Sequence, residues 1–193
     1  IGLAIERFSL TSDGDATDIA DMISSRRNQG GHSSQTHGYI TGGSTGSPQT
    51  QVDSIERFPF ASDSNSVDWA DLLSTNHSDS AVCSSSTYGW TYGGQNEGTA
   101  DINVIERFSF TSQSDSTDWA DCSVSQHGAA GCNSPSQGYA VNGGRHTGIP
   151  PNVPSGTIIN NIDKFPFASQ TTATDIGDIT VMRSGGAGIS SCD

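Results

Sequence analysis

The stretch IERFPFASDSNSVDWADL at 55–72 decides the fold, because the chain contains it four times. The other copies read IERFSLTSDGDATDIADM at 5–22, IERFSFTSQSDSTDWADC at 105–122 and IDKFPFASQTTATDIGDI at 162–179. Their first residues are separated by 50, 50 and 57 residues. A period of this length indicates a fold made of similar units that bury their apolar faces on one another.

The composition restricts the classes of function. The 8 Lys and Arg against 21 Asp and Glu give a formal charge of −13, which disfavours nucleic acid as a partner because its phosphates would be repelled. Only 32% of the residues are hydrophobic, yet the evenly spaced Trp, Phe and Ile argue against disorder. The sequence contains no run of about 18 apolar residues, so no membrane-spanning helix is predicted.

A second element recurs between the copies, as HSSQTHGYITGG at 32–43, CSSSTYGWTYGG at 83–94 and CNSPSQGYAVNGG at 132–144. Each unit therefore reads as four short strands bounded by Gly, Ser, Asp or Pro, and helical periodicity is missing. Four strands in about 50 residues is the period of a β-propeller blade. The predicted fold is all-β, with repeated four-stranded antiparallel blades.

The blade boundaries follow from the Gly-Gly strands. We predict a partial blade at 1–23, blades at 24–73, 74–123 and 124–181, and the start of a further blade at 182–193. The incomplete ends could share one blade of a closed ring, but we favour a fragment of a longer propeller. A Pro/Gly-rich insertion between Gly144 and Ile162 is expected to be an exposed loop suited to binding.

Packing between blades is predicted to depend on aromatic and glycine positions. The aromatic rings supply apolar area that a single polar sheet lacks. The glycine doublets allow positive φ and a close approach of neighbouring blades. These positions are Phe8, Phe58, Trp69, Phe108, Trp119, Phe165, Gly42, Gly43, Gly93, Gly94, Gly143 and Gly144.

Paired carboxylates recur in every copy, three residues apart. They could bind calcium or act as acid and base, but carboxylates repeated in every unit more often cap turns or accept backbone N–H groups, and we favour that role. We predict no catalytic residue, cofactor or metal. The pairs are Asp18 and Asp21, Asp68 and Asp71, Asp118 and Asp121, and Asp175 and Asp178.

Cys83 and Cys132 stand six residues before the Gly of their aromatic strands, at the position of His32. A Cys83–Cys132 disulfide and a His/Cys metal cluster are both conceivable, although no zinc-type spacing such as C-x₂-C is present. We favour buried thiols and leave the states of Cys122 and Cys192 open. The five histidines are expected to lie in solvated loops and strand starts.

The order of these elements resembles the kelch repeat. The phrase I-[ED]-[RK]-F-x-F is similar to kelch-like repeats in structural and tail-fibre proteins of marine phages, especially those infecting cyanobacteria. This resemblance implies a virion or extracellular module that presents loops to a glycan or protein receptor, or to other virion proteins. The matching positions are Arg27, His32, Tyr39, Gly42, Gly43, Phe58 and Trp69.

Two other classes of function stay open. One is an intracellular kelch adaptor that binds a partner protein. The other is a propeller enzyme, such as a copper oxidase of the galactose-oxidase type or a glycosidase, which needs a unique set of ligands or unequal carboxylates. We expect a non-enzymatic module, because catalysis needs an asymmetric site that repeated residues do not provide. A degenerate site shared between chains of a homo-oligomer is a further alternative.

Overall fold

The computed structural model describes residues 2–75, 77–96, 100–145, 157–183, 185–188 and 190. The middle of the predicted insertion, 146–156, and Cys192 lie outside these residues. All regular structure in the described residues is β-strand, beginning with a leading hairpin of β1 (Ala4–Arg7) and β2 (Thr17–Asp21). Among these residues there is no helix of sufficient length and apolarity to cross a membrane.

Three four-stranded antiparallel sheets follow the leading hairpin, and in each sheet the strands lie side by side in chain order. We call the first strand of each sheet the inner strand and the last strand the outer strand. The first unit has the order β3-β4-β7-β8 and the second β9-β10-β13-β14, each with an added two-stranded hairpin. Their strands are β3 Gly30–Ser33, β4 His37–Thr41, β5 Ser44–Thr45, β6 Thr50–Gln51, β7 Ser54–Pro59, β8 Val67–Asp71, β9 Ala81–Ser84, β10 Tyr88–Tyr92, β11 Gln95–Asn96, β12 Ala100–Asp101, β13 Val104–Ser109 and β14 Thr117–Asp121.

The third unit has the order β15-β16-β17-β18. Its strands are β15 Ala130–Asn133, β16 Gln137–Arg145, β17 Thr157–Pro166 and β18 Thr174–Asp178. The long central pair continues through Gly143 and Gly144 to the pairing of Arg145 with Thr157, so the insertion joins two extended strands. The prediction of an all-β fold with four-stranded antiparallel sheets is confirmed, while no closed propeller is seen in the described residues.

A β-bulge recurs in the outer strand pair of the leading hairpin and of the first two units, between Ile5 and Glu6, Ile55 and Glu56, and Ile105 and Glu106. The pairing of Ile55 with Ala70 and of Glu56 with Asp68 leaves Trp69 as the extra residue, so the bulge lies in the outer strand. Side chains along β7 and β13 keep their normal alternation, and the Ile and the following Glu are both buried because both faces of these strands are covered. The face of β13 that carries Glu106 and Phe108 meets the preceding unit.

Aromatic pairs form the contact between successive units. Phe110 of the second unit stacks on Tyr39 of the first, with ring centroids 4.5 Å apart. Phe167 of the third unit stacks in the same way on Trp90 of the second, at 4.0 Å. Trp69 packs in the same apolar cluster as Tyr39 and Phe110, and its indole N–H donates to Ser109 O of the next unit at 3.1 Å.

The six aromatic positions predicted to pack between blades differ in burial. Trp69, Phe108, Trp119 and Phe165 are buried. The prediction is wrong for Phe8, which is 65% exposed, because no unit precedes the leading hairpin in the described structure to cover it. Phe58 is only half-buried, since the leading hairpin that precedes it supplies two strands instead of four.

The glycine doublets lie where one unit approaches the next. A Cβ at Gly42 would be 2.6 Å from His77 O, and one at Gly93 would be 2.5 Å from Gln126 O. Both glycines have positive φ, at 59° and 63°. The third doublet differs, because Gly143 and Gly144 lie within β16 and pair with β17.

A ladder of backbone hydrogen bonds links equivalent positions of successive units. Asp79 N–H donates to Asn28 O at 2.9 Å, Gly128 N–H to Asp79 O at 2.7 Å, and Gly185 N–H to Gly128 O at 2.9 Å. All four residues have positive φ. Gly185, which follows β18, therefore has the same backbone conformation as the residues that precede the inner strands of the three units.

Replacement of Trp69 by Ala is expected to lower the free energy of unfolding by about 3–5 kcal/mol, because the substitution leaves a cavity between two units and removes an inter-unit hydrogen bond. Ile176 occupies the equivalent position in the third unit but is 48% exposed, so Ile176→Ala should cost about 0.5 kcal/mol or less. Urea denaturation of both variants measures the difference. Equal losses would contradict this account of the packing.

Candidate functional site

The Glu106 carboxylate is a buried polar group between units, and it is 2% exposed. Its Oε2 accepts the backbone N–H of Leu73 at 2.8 Å and the Ser116 hydroxyl at 2.5 Å. Its Oε1 lies 2.7 Å from His77 Nε2. Leu73 follows the outer strand of the preceding unit, so this carboxylate joins two units.

The same arrangement occurs at each junction. Glu56 accepts the N–H of Ile23 at 2.9 Å, and Asp163 accepts that of Ser123 at 2.9 Å. We call Glu56, Glu106 and Asp163 the inter-unit carboxylates. Each accepts the N–H of the second residue after the preceding outer strand. Their repetition and saturation indicate a structural role.

The side chain in the position of His77 differs among the units. Arg26 forms a buried ion pair with Glu56 and also donates to Gly42 O at 3.1 Å. His77 Nδ1 lies 2.9 Å from Gly93 O, the equivalent carbonyl. Gln126 takes the position in the third unit and is 1% exposed. A cation and a titratable ring therefore pair with equivalent carboxylates, and a buried neutral amide takes their position in the third unit.

Burial alone would raise the pKa of Glu106, but the contacts with His77, Ser116 and the Leu73 N–H hold the pKa below its ordinary value. The carboxylate therefore stays ionised at neutral pH. Its oxygens are engaged by protein donors, so it is poorly placed to exchange protons with a substrate. This role was not predicted from the sequence, although a Glu or Asp follows the first Ile in all four copies.

The paired aspartates do not supply these buried carboxylates. All eight of their side chains are exposed, on or beside the outer strands. Asp175 does accept a local backbone N–H, from Gly177 at 3.1 Å, as expected of a turn-capping residue. Within the described residues, no group of three or more His, Cys, Asp or Glu is arranged to hold a metal ion.

The inner strands β3, β9 and β15 line a cleft of about 890 Å³. Each is the edge strand of its sheet, so one side of its backbone is not paired within the sheet. The polar lining includes Ser33, Ser84 and Asn133, and Gly, Ala and Val make up most of the remainder. Among the described lining residues there is no Asp, Glu, His, Lys or Arg.

His32 and Cys83 occupy equivalent positions of β3 and β9, and Cys83 lines the cleft whereas His32 does not. His32 is 6% exposed and His77 is 0% exposed, so the expectation of solvated histidines is wrong for both. His32 packs between two units, and His77 packs against the buried Glu106 carboxylate. His32 Nδ1 lies 3.2 Å from Cys83 O, and Nε2 lies 3.1 Å from the Thr41 hydroxyl. Burial lowers the pKa of His32 to about 4, so the ring is neutral at pH 7.

The described cysteines are free thiols, so the alternative of a Cys83–Cys132 disulfide is not realised. Cys83 and Cys122 are buried and Cys132 is half-buried. Burial raises the pKa of all three thiols, most strongly for the two buried residues. They are therefore protonated at neutral pH and weak as nucleophiles or metal ligands.

Comparison with known proteins identifies a similar fold but no family. No protein-family model matches the chain, and a search of curated proteins finds no match. Among solved structures, the chain is similar to the structure of YjhT, with a TM-score of 0.73 and 12% identity over 89% of this chain. The match covers 58% of the YjhT chain. At this identity the likeness concerns the fold alone.

Replacement of Glu106 by Gln is expected to lower the free energy of unfolding by about 3 kcal/mol, since an amide places two N–H donors where the Leu73 N–H and the Ser116 hydroxyl also donate. Glu6→Gln is the matched control, because Glu6 holds the same repeat position but is exposed. Chemical denaturation at pH 7 measures both. A similar effect of the two substitutions would contradict the role of the inter-unit carboxylate.

Stability is expected to decrease as the pH falls from 6.5 towards 4. The ordinary pKa of His is about 6.5, whereas folded His32 has a pKa of about 4, so the unfolded chain binds the proton more tightly in this range. The contribution is up to about 1.4 kcal/mol per pH unit and about 3 kcal/mol in total. Urea titrations of wild type and His32→Ser should diverge as the pH rises above 4. Parallel pH profiles would contradict the neutral buried ring.

Proposed function

We propose that the units are kelch-like blades of a β-propeller, and that the cleft along their inner strands binds a neutral, hydroxyl-rich ligand such as a glycan. The blade interpretation is supported by three four-stranded antiparallel sheets whose first strands lie side by side. Ligands of propellers and barrels commonly bind where strands converge. The function is recognition, with no chemical conversion of the ligand.

The lining of the cleft is the observation that carries this proposal. A charged ligand would lose hydration there without a charged partner among the described lining residues. Serine hydroxyls both donate and accept, as do the hydroxyl groups of a sugar. The edge strands β3, β9 and β15 add backbone donors and acceptors. A neutral polyol can therefore exchange its hydrogen bonds with water for equivalent bonds to the cleft.

The state of the reactive groups supports binding without catalysis. Cys83 lines the cleft, but burial raises its pKa well above the ordinary value. The inter-unit carboxylates are bonded to backbone N–H groups and do not line the cleft. A glycosidase needs two carboxylates on either side of the scissile bond, and a copper oxidase needs histidine ligands.

The biological setting that we propose is a virion appendage or another extracellular surface. This part of the proposal rests on the resemblance of the repeated phrase to tail-fibre proteins and on the acidic, Ser- and Gly-rich composition. A rigid set of sheets that presents a cleft and variable loops suits receptor recognition. An adaptor for a peptide is the second candidate, because an extended peptide could pair with the edge of β3 or β9.

Replacement of Gly31 by Trp is expected to reduce glycan affinity at least tenfold, because the indole would fill part of the cleft. A Cβ at Gly31 meets no atom within 4 Å, so the substitution should leave the sheet intact. Gly14→Trp is the matched control, since a Cβ there also meets no atom within 4 Å and Gly14 does not line the cleft.

A panel of neutral and acidic glycans identifies the ligand, and calorimetry then compares the two variants with wild type. We expect neutral glycans to bind wild type and Gly14→Trp equally. Binding of acidic glycans alone, or equal binding by wild type and Gly31→Trp, would contradict the proposed cleft. Catalytic turnover of the bound glycan would contradict the non-enzymatic function.

A further inference from the structure

The third inter-unit carboxylate differs from the other two in its partner. The first two carboxylates pair with Arg26 and His77, whereas the same position in the third unit is held by Gln126, a neutral amide that is 1% exposed. No Lys, Arg or His of the described residues forms an ion pair with Asp163, although Asp163 is also 1% exposed. A buried carboxylate without a cation is unfavourable, so this junction needs another source of positive charge.

The guanidinium of Arg26 shows where that charge lies in the first unit. It donates to Gly42 O at 3.1 Å, to the Ser54 hydroxyl at 3.1 Å and to the Glu56 carboxylate. A single cation is therefore enclosed by a carbonyl, a hydroxyl and a carboxylate. The residues at the corresponding positions of the third unit are Gly143, Asn161 and Asp163.

Two buried amide oxygens of the third unit have no hydrogen-bond partner among the described residues. They are Gln126 Oε1 and Asn161 Oδ1, and the two side chains are 1% and 8% exposed. Asn161 Nδ2 donates to Asp163 Oδ1 at 3.0 Å, so the Asn161 amide lies directly beside the carboxylate. A buried acceptor that receives neither a proton donor nor a cation destabilises the fold.

The Gln126 amide faces the same place. Its Oε1 is 3.2 Å from the position that a Cβ at Gly143 would take, beside the glycine that corresponds to Gly42. The buried Cys122 thiol interacts with both the Gln126 amide and the Asp163 carboxylate, which places these two groups around one side chain. The third unit therefore gathers a carboxylate and two amide oxygens where the first unit has a guanidinium.

The Asp163 carboxylate has the capacity for one more ligand. Its Oδ1 accepts the Asn161 amide and, at 2.5 Å, the Ser123 hydroxyl. Among the described residues, Oδ2 accepts the Ser123 backbone N–H alone, at 2.9 Å. Because a carboxylate oxygen has two lone pairs, Oδ2 can bind a cation in addition to this N–H.

We propose that this junction binds a hard metal cation, Ca²⁺ or Na⁺, in the place that the Arg26 guanidinium takes in the first unit. Its protein ligands are Asp163 Oδ2, Gln126 Oε1 and Asn161 Oδ1, and water completes the coordination. Carboxylate and amide oxygens are the ligands that such cations prefer. The cation neutralises the carboxylate and supplies both amide oxygens with a partner, so its role is to stabilise the junction.

A cation titration of the wild-type chain tests this proposal. The chain is dialysed against EDTA and unfolded with urea in choline chloride at constant ionic strength. We expect the unfolding equilibrium constant to fall about tenfold in about 10 mM CaCl₂ or about 100 mM NaCl, as a Kd near a tenth of these concentrations requires. The salt that is effective identifies the cation, and calorimetry measures its binding directly. MgCl₂ should have a smaller effect, because Mg²⁺ loses its water reluctantly.

Gln126→Arg tests the site by supplying the cation from the protein itself. This variant should be more stable than wild type in metal-free buffer and should no longer respond to the salt. Asp163→Asn should also lose the response, because it removes the charged ligand. Asp178→Asn is the matched control, since Asp178 is an exposed carboxylate opposite Asn161 in the sheet and the acidic surface of this chain attracts cations without a defined site. This control should respond as wild type does.

An unfolding constant of wild type that neither CaCl₂ nor NaCl changes would overturn the proposal. A full response in Gln126→Arg or Asp163→Asn would also overturn it, as would loss of the response in Asp178→Asn, because the cation would then bind elsewhere. A response to ZnCl₂ alone would point to the Cys122 thiol instead of the oxygen ligands. Circular dichroism verifies each fold, and if one variant of the site is unfolded, the other variant and the wild-type titration decide.

Discussion

Each junction in this protein depends on a carboxylate that has been removed from water to accept the backbone N–H of the preceding unit. Burial of an ionised carboxyl group costs several kcal/mol unless hydrogen bonds saturate its oxygens. Glu106 meets this condition with Leu73, Ser116 and His77, which come from both sides of the junction. The Leu73 N–H is the donor that crosses the junction, so the carboxylate ties the outer strand of one unit to the next unit.

The aromatic pairs supply the apolar area for the same contact. Burial of apolar surface is favourable but non-directional, so stacked rings alone would tolerate a rotation or a slip of one sheet on the next. The inter-unit carboxylate and the indole N–H of Trp69 remove this freedom, because hydrogen bonds require a defined direction. The buried apolar area and the directional hydrogen bonds of a junction therefore come from different groups within one eighteen-residue repeat.

The sequence was sufficient to predict the strands and their order, because period, turn residues and alternation are local properties. It also identified Trp69, Trp119 and Phe165 as packing residues. It was insufficient for Phe8, since burial depends on whether a neighbouring unit is present and the same phrase is covered in one place and exposed in another. The role of Glu106 was missed because a charged residue in a strand is ordinarily read as solvent-facing, whereas both faces of β13 are covered by neighbouring residues.

The cleft could not be predicted from the sequence, because the inner strands that line it are about 50 residues apart in the chain. Small and hydroxylated residues in β3, β9 and β15 look like low-complexity sequence until the three strands lie side by side. The ability of these residues to bind a ligand depends on all three strands together, because no single strand encloses a cleft.

The uniformity of the junctions has a consequence for how such a gene can change. Every unit meets the preceding one through the same backbone N–H bond to an inter-unit carboxylate, so stability is a sum of unit and nearest-neighbour contributions. Unequal recombination between two copies of the IERF-coding sequence would add or delete one whole period and leave every remaining junction with both of its halves. The number of units can therefore drift among descendants without loss of folding, and the exposed loops carried by each unit can diversify independently after a duplication.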